Sequence, residues 1–255
     1  MDDDQFTASN PLSTHDSTSI TVRERGLSEE IMGEMGFGGS VYYLLTGNEP
    51  TPDEERVFDA MLSSLMVHGT TPHAIASRLT YLSEPQSIQG AVSSGLLGVG
   101  SRFAGAMEQC ARDLQSVVES DDTDEAVAEL VVEYGRSDDR FSGIGHPHLS
   151  PVDPRAERLF ELAEEADVAG EHVAAIRDIR TAFEEDTGYD LPVNVTGAIA
   201  AVSADMGLAP EGARGVAIVS RAAGLVAEVL EERKNPVGMD IYQFVDERMS
   251  ERERE

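Results

Sequence analysis

The chain is short of positive charge. In 255 residues, 19 Lys+Arg stand against 48 Asp+Glu, a formal net charge of −29. Lys234 is its only lysine, so the other basic residues are arginines. This balance argues against nucleic acid or an anionic membrane as the main partner, because both demand clustered cationic side chains. Cysteine is nearly absent: Cys110 stands alone, which excludes an internal disulfide and a multi-cysteine zinc site and leaves it the part of a small buried hydrophobe. No apolar run approaches the ~20 residues that a bilayer-spanning helix needs. No basic stretch followed by an apolar one opens the chain, so the expectation is a soluble cytoplasmic protein. There is no G-x-x-x-x-G-K-[ST] phosphate loop. The spacing Gly95-x-x-Gly98-x-Gly100 falls inside a helical pattern rather than after a strand, so it is no dinucleotide fingerprint. His68, His73, His146 and His148 lack H-E-x-x-H or Cys/His spacing, and no metal is expected.

What is present is a core's worth of apolar residues, 40% of the chain, with acidic side chains spread along its whole length. A uniformly acidic, almost lysine-free chain fits a surface adapted to concentrated salt. At about 1 M ionic strength charges are screened beyond roughly 3 Å, so self-repulsion no longer opposes the fold. Residues 1–19, rich in Asp, Ser and Thr, predict a loose acidic tail; residues 20–255 predict one domain. Within it the periodicity is helical almost throughout, giving an all-α fold of about ten helices. Pro52, Pro72, Pro154 and Pro210, each with acids or a capping residue nearby, open helices. The first of these is expected to end at Gly69 with His68 in its last turn. Residues 91–110, rich in Gly, Ala and Ser, read as a tightly packed central helix broken near Gly100. Residues 123–131, 169–187 and 194–206 supply further helices. Residues 19–22 are the best strand candidate, and His15 and His172 are expected to face solvent.

One loop has the residue types of a site. Gly143-Ile144-Gly145-His146 is followed by Asp153-Pro154-Arg155. The glycines let backbone come close to a ligand. Histidine offers proton transfer near neutrality, and arginine a two-pronged clamp on a carboxylate. The same residues equally suit a plain Gly/Pro connector ending in a capped helix at Asp153.

Several stretches in order extend this reading. They are residues 43–50 (YLLTGNEP), His68-Gly69, residues 98–106 (GVGSRFAGA), Gly143–His146 with Asp153–Arg155, residues 192–197 (PVNVTG) and Arg221–Gly224. Together they resemble the citrate synthase superfamily, and within it the citryl-CoA lyase type found as a module of ATP-citrate lyase. The resemblance implies a large helical domain with a small mobile helical domain at roughly 105–207. It also implies a homodimer or higher oligomer, and a coenzyme A thioester as substrate without a tightly bound cofactor. By the same resemblance His68 and His146 are catalytic. His146 contacts the oxygen that is carbonyl in oxaloacetate and hydroxyl in citryl-CoA. Arg155, Arg221, Arg102 and Asn194 bind substrate, and Gly143, Gly145 and Phe103 shape the site.

Two departures matter. Synthases carry a histidine where this chain has Phe103, which favours the lyase pattern. Both branches place an aspartate after Asn-Val as acid/base at the acetyl methyl carbon, and here that residue is Thr196. A threonine hydroxyl is far too weak an acid to imitate a carboxylate near pH 7. Asp205, further along the same helix, is not expected to reach that point. The resulting expectation is cleavage of citryl-CoA to acetyl-CoA and oxaloacetate, with His146 taking the hydroxyl proton. The alternatives are condensation of acetyl-CoA or another acyl-CoA with oxaloacetate, and a non-catalytic CoA- or citrate-binding relative.

Overall fold

The computed structural model describes residues 12–102, 104–136, 141–146, 149 and 151–252. The expectations for Phe103 and His148 lie outside these residues. The chain forms two compact units, one reaching to Asp59 and the other running from Ala60 onward.

The first unit opens with a small antiparallel sheet of β1 (Ser13–His15), β2 (Ile20–Val22) and β3 (Arg25–Gly26), in that order. Residues 13–15, expected in a loose tail, are thus paired: Ser13 lies opposite Val22 and His15 opposite Ile20. Asp16 makes the turn by accepting hydrogen bonds from Thr18 N (2.7 Å) and Ser19 N (2.8 Å). A short π-helical turn, Leu27–Ile31, leads to α1 (Phe37–Thr46). Tyr42 of α1 packs edge-to-face on Phe58, with ring centroids 5.5 Å apart.

Helix α2 (Pro52–Leu65) begins in the first unit and ends in the second. The second unit is otherwise all helix: α3 (Pro72–Ser83), α4 (Ile88–Leu97), α5 (Ala104–Val118), α6 (Thr123–Arg136), α7 (Pro154–Glu165), α8 (Glu171–Thr187), α9 (Val195–Asp205), α10 (Pro210–Lys234) and α11 (Gly238–Arg252). The expected all-α class holds, with the interruption near Gly100 falling between α4 and α5. Helix α9, made of small residues and buried along most of its length, packs against α5, α7, α8 and α10. Helix α10 also packs on α3 and α4. Thr71 and Asp153 cap α3 and α7 with their side chains, each ahead of a proline at the first helical position.

Helix α2 stops earlier than its sequence predicts. The Ser220 hydroxyl of α10 donates to the Leu62 carbonyl in the last turn of α2. Beside it, a side chain on Gly224 would overlap the Met66 carbonyl oxygen. Helix α10 therefore takes up the carbonyl end of α2 directly. His68 sits in an exposed loop, with Gly69 at φ +65°, rather than in a helical last turn.

Candidate active site

The site is built on the seam between the 141–146 loop and the start of α9. Gly145 N donates to Pro192 O (2.8 Å), and Asn194 N donates to Gly143 O (3.0 Å). Asn194 is 8% exposed. Its amide group donates to Ser142 O (3.0 Å) and Gly145 O (2.8 Å), while its side-chain oxygen accepts from Gly197 N (3.1 Å) and so caps α9. Asn194, expected among the substrate contacts, joins the loop to the helix through these bonds. The glycines also allow close packing. A Cβ on Gly143 would lie 2.8 Å from Cys110 Sγ and from the Phe141 ring, and one on Gly197 would lie 2.5 Å from Gly143 O. Gly143 thus leaves room for the Cys110 and Phe141 side chains, and Gly197 for the Gly143 backbone. Gly145 has φ +82°, a left-handed conformation that favours glycine.

This frame carries His146 at one end and Arg155 in the first turn of α7. The Arg155 guanidinium is held by Asp153 through Nε to Oδ1 (3.0 Å) and Nη2 to Oδ2 (2.8 Å). Its Nη1 lies 3.4 Å from His68 Nδ1, and its Nη2 lies 3.4 Å from His146 Nε2. The two imidazole rings meet edge-to-face at 5.5 Å between centroids. Three residues singled out in the sequence, 87 positions apart at the extremes, thus converge on one point.

Guanidinium nitrogens only donate, so His68 Nδ1 is the acceptor and a neutral His68 carries its proton on Nε2. His146 meets a donor at each ring nitrogen: Leu149 N lies 3.0 Å from Nδ1 and Arg155 Nη2 lies 3.4 Å from Nε2.

The field around the cluster is cationic in an otherwise acidic chain. Arg221 of α10 lines a small cavity with His68, His73, Thr71 and Glu228. Among the described residues Arg221 has no ion-pair partner within 4 Å; burial and the nearby Arg155 charge push its pKa below the ordinary arginine value. Burial, and then the charges of Arg155, His146 and Arg221, lower the pKa of His68, with Asp153 opposing them. His73, 2% exposed on α3, is depressed to about 4 by burial and by Arg221 and His68. Burial alone would raise Asp153; the Arg155 and Val195 hydrogen bonds outweigh it and leave the carboxylate more acidic than usual.

Among the described residues no hydrogen bond or ion pair joins Thr196, Asp205 or Arg102 directly to this cluster. Thr196 is in the first turn of α9, half-buried, two residues after the capping Asn194. Asp205 lies at the other end of α9, where it accepts from Gly170 N (2.7 Å), His172 N (3.0 Å) and Val173 N (3.0 Å) and pairs with His172 Nδ1 (2.8 Å). It caps α8 and is unavailable at Thr196. His172, expected to face solvent, is half-buried against it. Arg102 is exposed on the turn between α4 and α5, and no hydrogen bond or ion pair among the described residues joins it to Arg155. Among the described residues no group of three or more His, Cys, Asp or Glu side chains is placed to hold a metal ion, and no helix is long and apolar enough to cross a membrane. Two contributions were not foreseen from the sequence: the Leu149 N–H that holds the His146 ring, and the use of both Asp153 oxygens. A cap signal at Asp153-Pro154 was visible, but its second partner, Val195, is 42 residues away.

Residues 14–242 match the family model for the citrate synthase C-terminal domain. The chain is 33% identical to citryl-CoA lyase from Hydrogenobacter thermophilus, with a TM-score of 0.81, covering 88% of this chain and 86% of that one. An ATP citrate lyase from Methanosaeta concilii, solved in complex with (3S)-citryl-CoA, shares the fold at a TM-score of 0.77 and 20% identity, over 89% of this chain and 39% of that one. Among curated relatives, a probable ATP-citrate synthase of Dictyostelium discoideum is 24% identical over 86% of this chain, and a citrate synthase of Deinococcus radiodurans is 27% identical over 51%. The chain spans only 37% and 34% of the length of those two relatives. The match to the family model covers the sheet, the Arg155 cluster and every helix through α10, and on that evidence the chain belongs to the citrate synthase family.

Proposed function

We propose that this protein cleaves citryl-CoA to acetyl-CoA and oxaloacetate. The observation that carries the reading is the convergence of His68, His146 and Arg155 beside Arg221, a cationic hydrogen-bond-donating pocket in a strongly acidic chain. The likeness to a citryl-CoA lyase over most of both chains supports it. In the reaction, the bond between the hydroxyl-bearing carbon and the thioester-bearing methylene breaks. Its electron pair passes to the thioester as an enolate. The hydroxyl oxygen loses its proton and becomes the carbonyl of oxaloacetate, and the enolate carbon takes up a proton to give acetyl-CoA.

Arg155 and Arg221 bind the carboxylates, and Arg155, already oriented by Asp153, presents a planar fork to them. His68 adds a donor to the same carboxylate end. His146 takes the hydroxyl proton as the carbon–carbon bond opens. The enolate that forms needs hydrogen-bond stabilisation, worth about 3–4 kcal/mol per well-placed donor. Thr196 occupies the position from which the enolate carbon is protonated, acting through a bound water. Coenzyme A enters as a thioester substrate, with no tightly bound cofactor. The 105–207 segment serves as the mobile lid, and the working form is a cytoplasmic homodimer or higher oligomer adapted to concentrated salt.

The test is an assay with citryl-CoA in molar KCl, following oxaloacetate and acetyl-CoA. Free CoA released from acetyl-CoA plus oxaloacetate would instead mark a condensing enzyme. Citrate or CoA binding with no turnover in either direction would mark a binding protein. Thr196→Ala should slow turnover and Thr196→Asp should not; unchanged rates in both remove Thr196 from the mechanism. Substrate KM should rise as KCl is withdrawn, before the fold is lost, because the acidic field then opposes an anionic substrate unscreened.

A further inference from the structure

Asp153 does more than its position before a proline requires. Its side chain is fully buried, at 0% exposure. Oδ1 accepts from Arg155 N (3.1 Å) and Nε (3.0 Å), the first of these being the ordinary cap of α7. Oδ2 accepts from Arg155 Nη2 (2.8 Å) and from Val195 N (3.0 Å), the first N–H of α9. A cap needs one oxygen and one backbone N–H. Here the remaining acceptor capacity joins the guanidinium that touches both histidines to the helix that bears Thr196.

We propose that Asp153 is the positioning residue of the site. Its carboxylate fixes the plane of Arg155 against His68 and His146, and its second oxygen holds the first turn of α9 in register with them. The charged and titratable groups around it are Arg155 on its own helix, His146 on the preceding loop, His68 on the loop after α2 and Arg221 on α10. The start of α9 contributes only an N–H. Asparagine cannot substitute. It has one oxygen and one NH2, so whichever way it turns, its NH2 confronts either the guanidinium or the Val195 N–H. For its effect on turnover the proposal rests on the citryl-CoA reading above; for its effect on geometry it does not.

The experiment uses both. In the ligand-free protein, proton NMR follows the His68 ring, assigned by its disappearance in His68→Asn. Removing the negative charge in Asp153→Asn should move the His68 titration to lower pH and weaken exchange protection of the Val195 amide. With citryl-CoA, Asp153→Asn should lower kcat/KM about 10- to 100-fold, the scale expected when a binding group is displaced by about an ångström. Arg155→Lys breaks the fork from the other side and keeps the test open should Asp153→Asn fail to fold. It should lower kcat/KM comparably while leaving the Val195 amide protected. A folded Asp153→Asn protein with an unmoved His68 titration and an unchanged Val195 amide overturns the proposal; so does equal loosening of that amide by Arg155→Lys. If the wild-type protein leaves citryl-CoA intact, the reaction assignment falls while the NMR comparison still decides the role of Asp153.

Discussion

The two histidine loops of the site reach the same guanidinium by opposite means. The loop before His146 is held by two backbone hydrogen bonds to residues 192–194 and two more from the Asn194 amide, and the ring itself accepts from Leu149 N. The loop around His68 has Met66 and Val67 exposed, at 40% and 58%, and the one internal backbone hydrogen bond described for it runs from Thr71 N to Gly69 O. A histidine that must meet a reacting oxygen benefits from a pre-set ring, since reorientation during the reaction costs free energy. One that grips a carboxylate can settle as the ligand arrives. Under the proposed reaction, this difference suits His146 to the chemistry and His68 to binding.

The largest effect expected from this contrast is in the two alanine variants. His146→Ala should lower kcat by about 10²- to 10⁴-fold with the fold intact, as expected for a group that acts in the transition state. His68→Ala should act chiefly through KM, about tenfold, with a smaller change in kcat. Steady-state kinetics with citryl-CoA decide it, and equal kcat losses in both would erase the distinction. Next comes Asn194→Ala, which strips two loop carbonyls and the Gly197 N–H of their partner. It should cost about 3 kcal/mol of stability and depress kcat by releasing the His146 loop. Denaturant unfolding in molar KCl measures the first part and turnover the second.

Gly224→Ala probes the other loop. The added methyl would overlap the Met66 carbonyl, so the His68 loop must move, at about 1–3 kcal/mol for overpacking, with KM rising more than kcat falls. The smallest effect concerns a pair outside both loops. The His172 ring and three backbone N–H groups hold Asp205 below the usual carboxylate pKa, against a burial effect that would raise it. A carboxylate with a lowered folded-state pKa stabilises fully above its unfolded value, and that stabilisation is lost as pH falls through the folded one. Asp205→Asn should therefore cost about 1–2 kcal/mol at neutral pH and show a shallower loss of stability below about pH 4 than wild type. Unfolding midpoints across that range provide the check.

How much of this was legible in the sequence depended on how local the cause was. The starts at Pro52, Pro72, Pro154 and Pro210 were readable because proline and its capping neighbours act within one turn. The end of α2 was not, because Ser220 and Gly224 lie on a helix some 150 residues away. Helix α11 was missed for a related reason. Its first N–H groups are capped by Glu232, 3% exposed on the preceding helix, which accepts from Val237 N (3.0 Å) and Gly238 N (2.7 Å) while pairing with Arg78 of α3 (2.6 Å). In the sequence, Val237 stands where a capping Ser, Thr, Asp or Asn would have signalled the start at Gly238. Strand β1 was hidden in a polar stretch because its pairing with β2 rests on backbone hydrogen bonds and a tight turn at Asp16 rather than on apolar alternation.

For the site the division is similar. Residue types and their order pointed to His68, His146, Arg155 and Arg221, because the chemistry of anion binding needs those groups and they occur in motifs. By itself the sequence determined the helical class, the helix starts, the unpaired Cys110 and a cationic set of candidates within a −29 chain. Only the tertiary structure decided that Asn194 braces the loop, that Gly197 admits the Gly143 backbone, and that one Asp153 carboxylate serves two helices. Each of these depends on distances between residues far apart in the chain, and such distances are set when the helices pack.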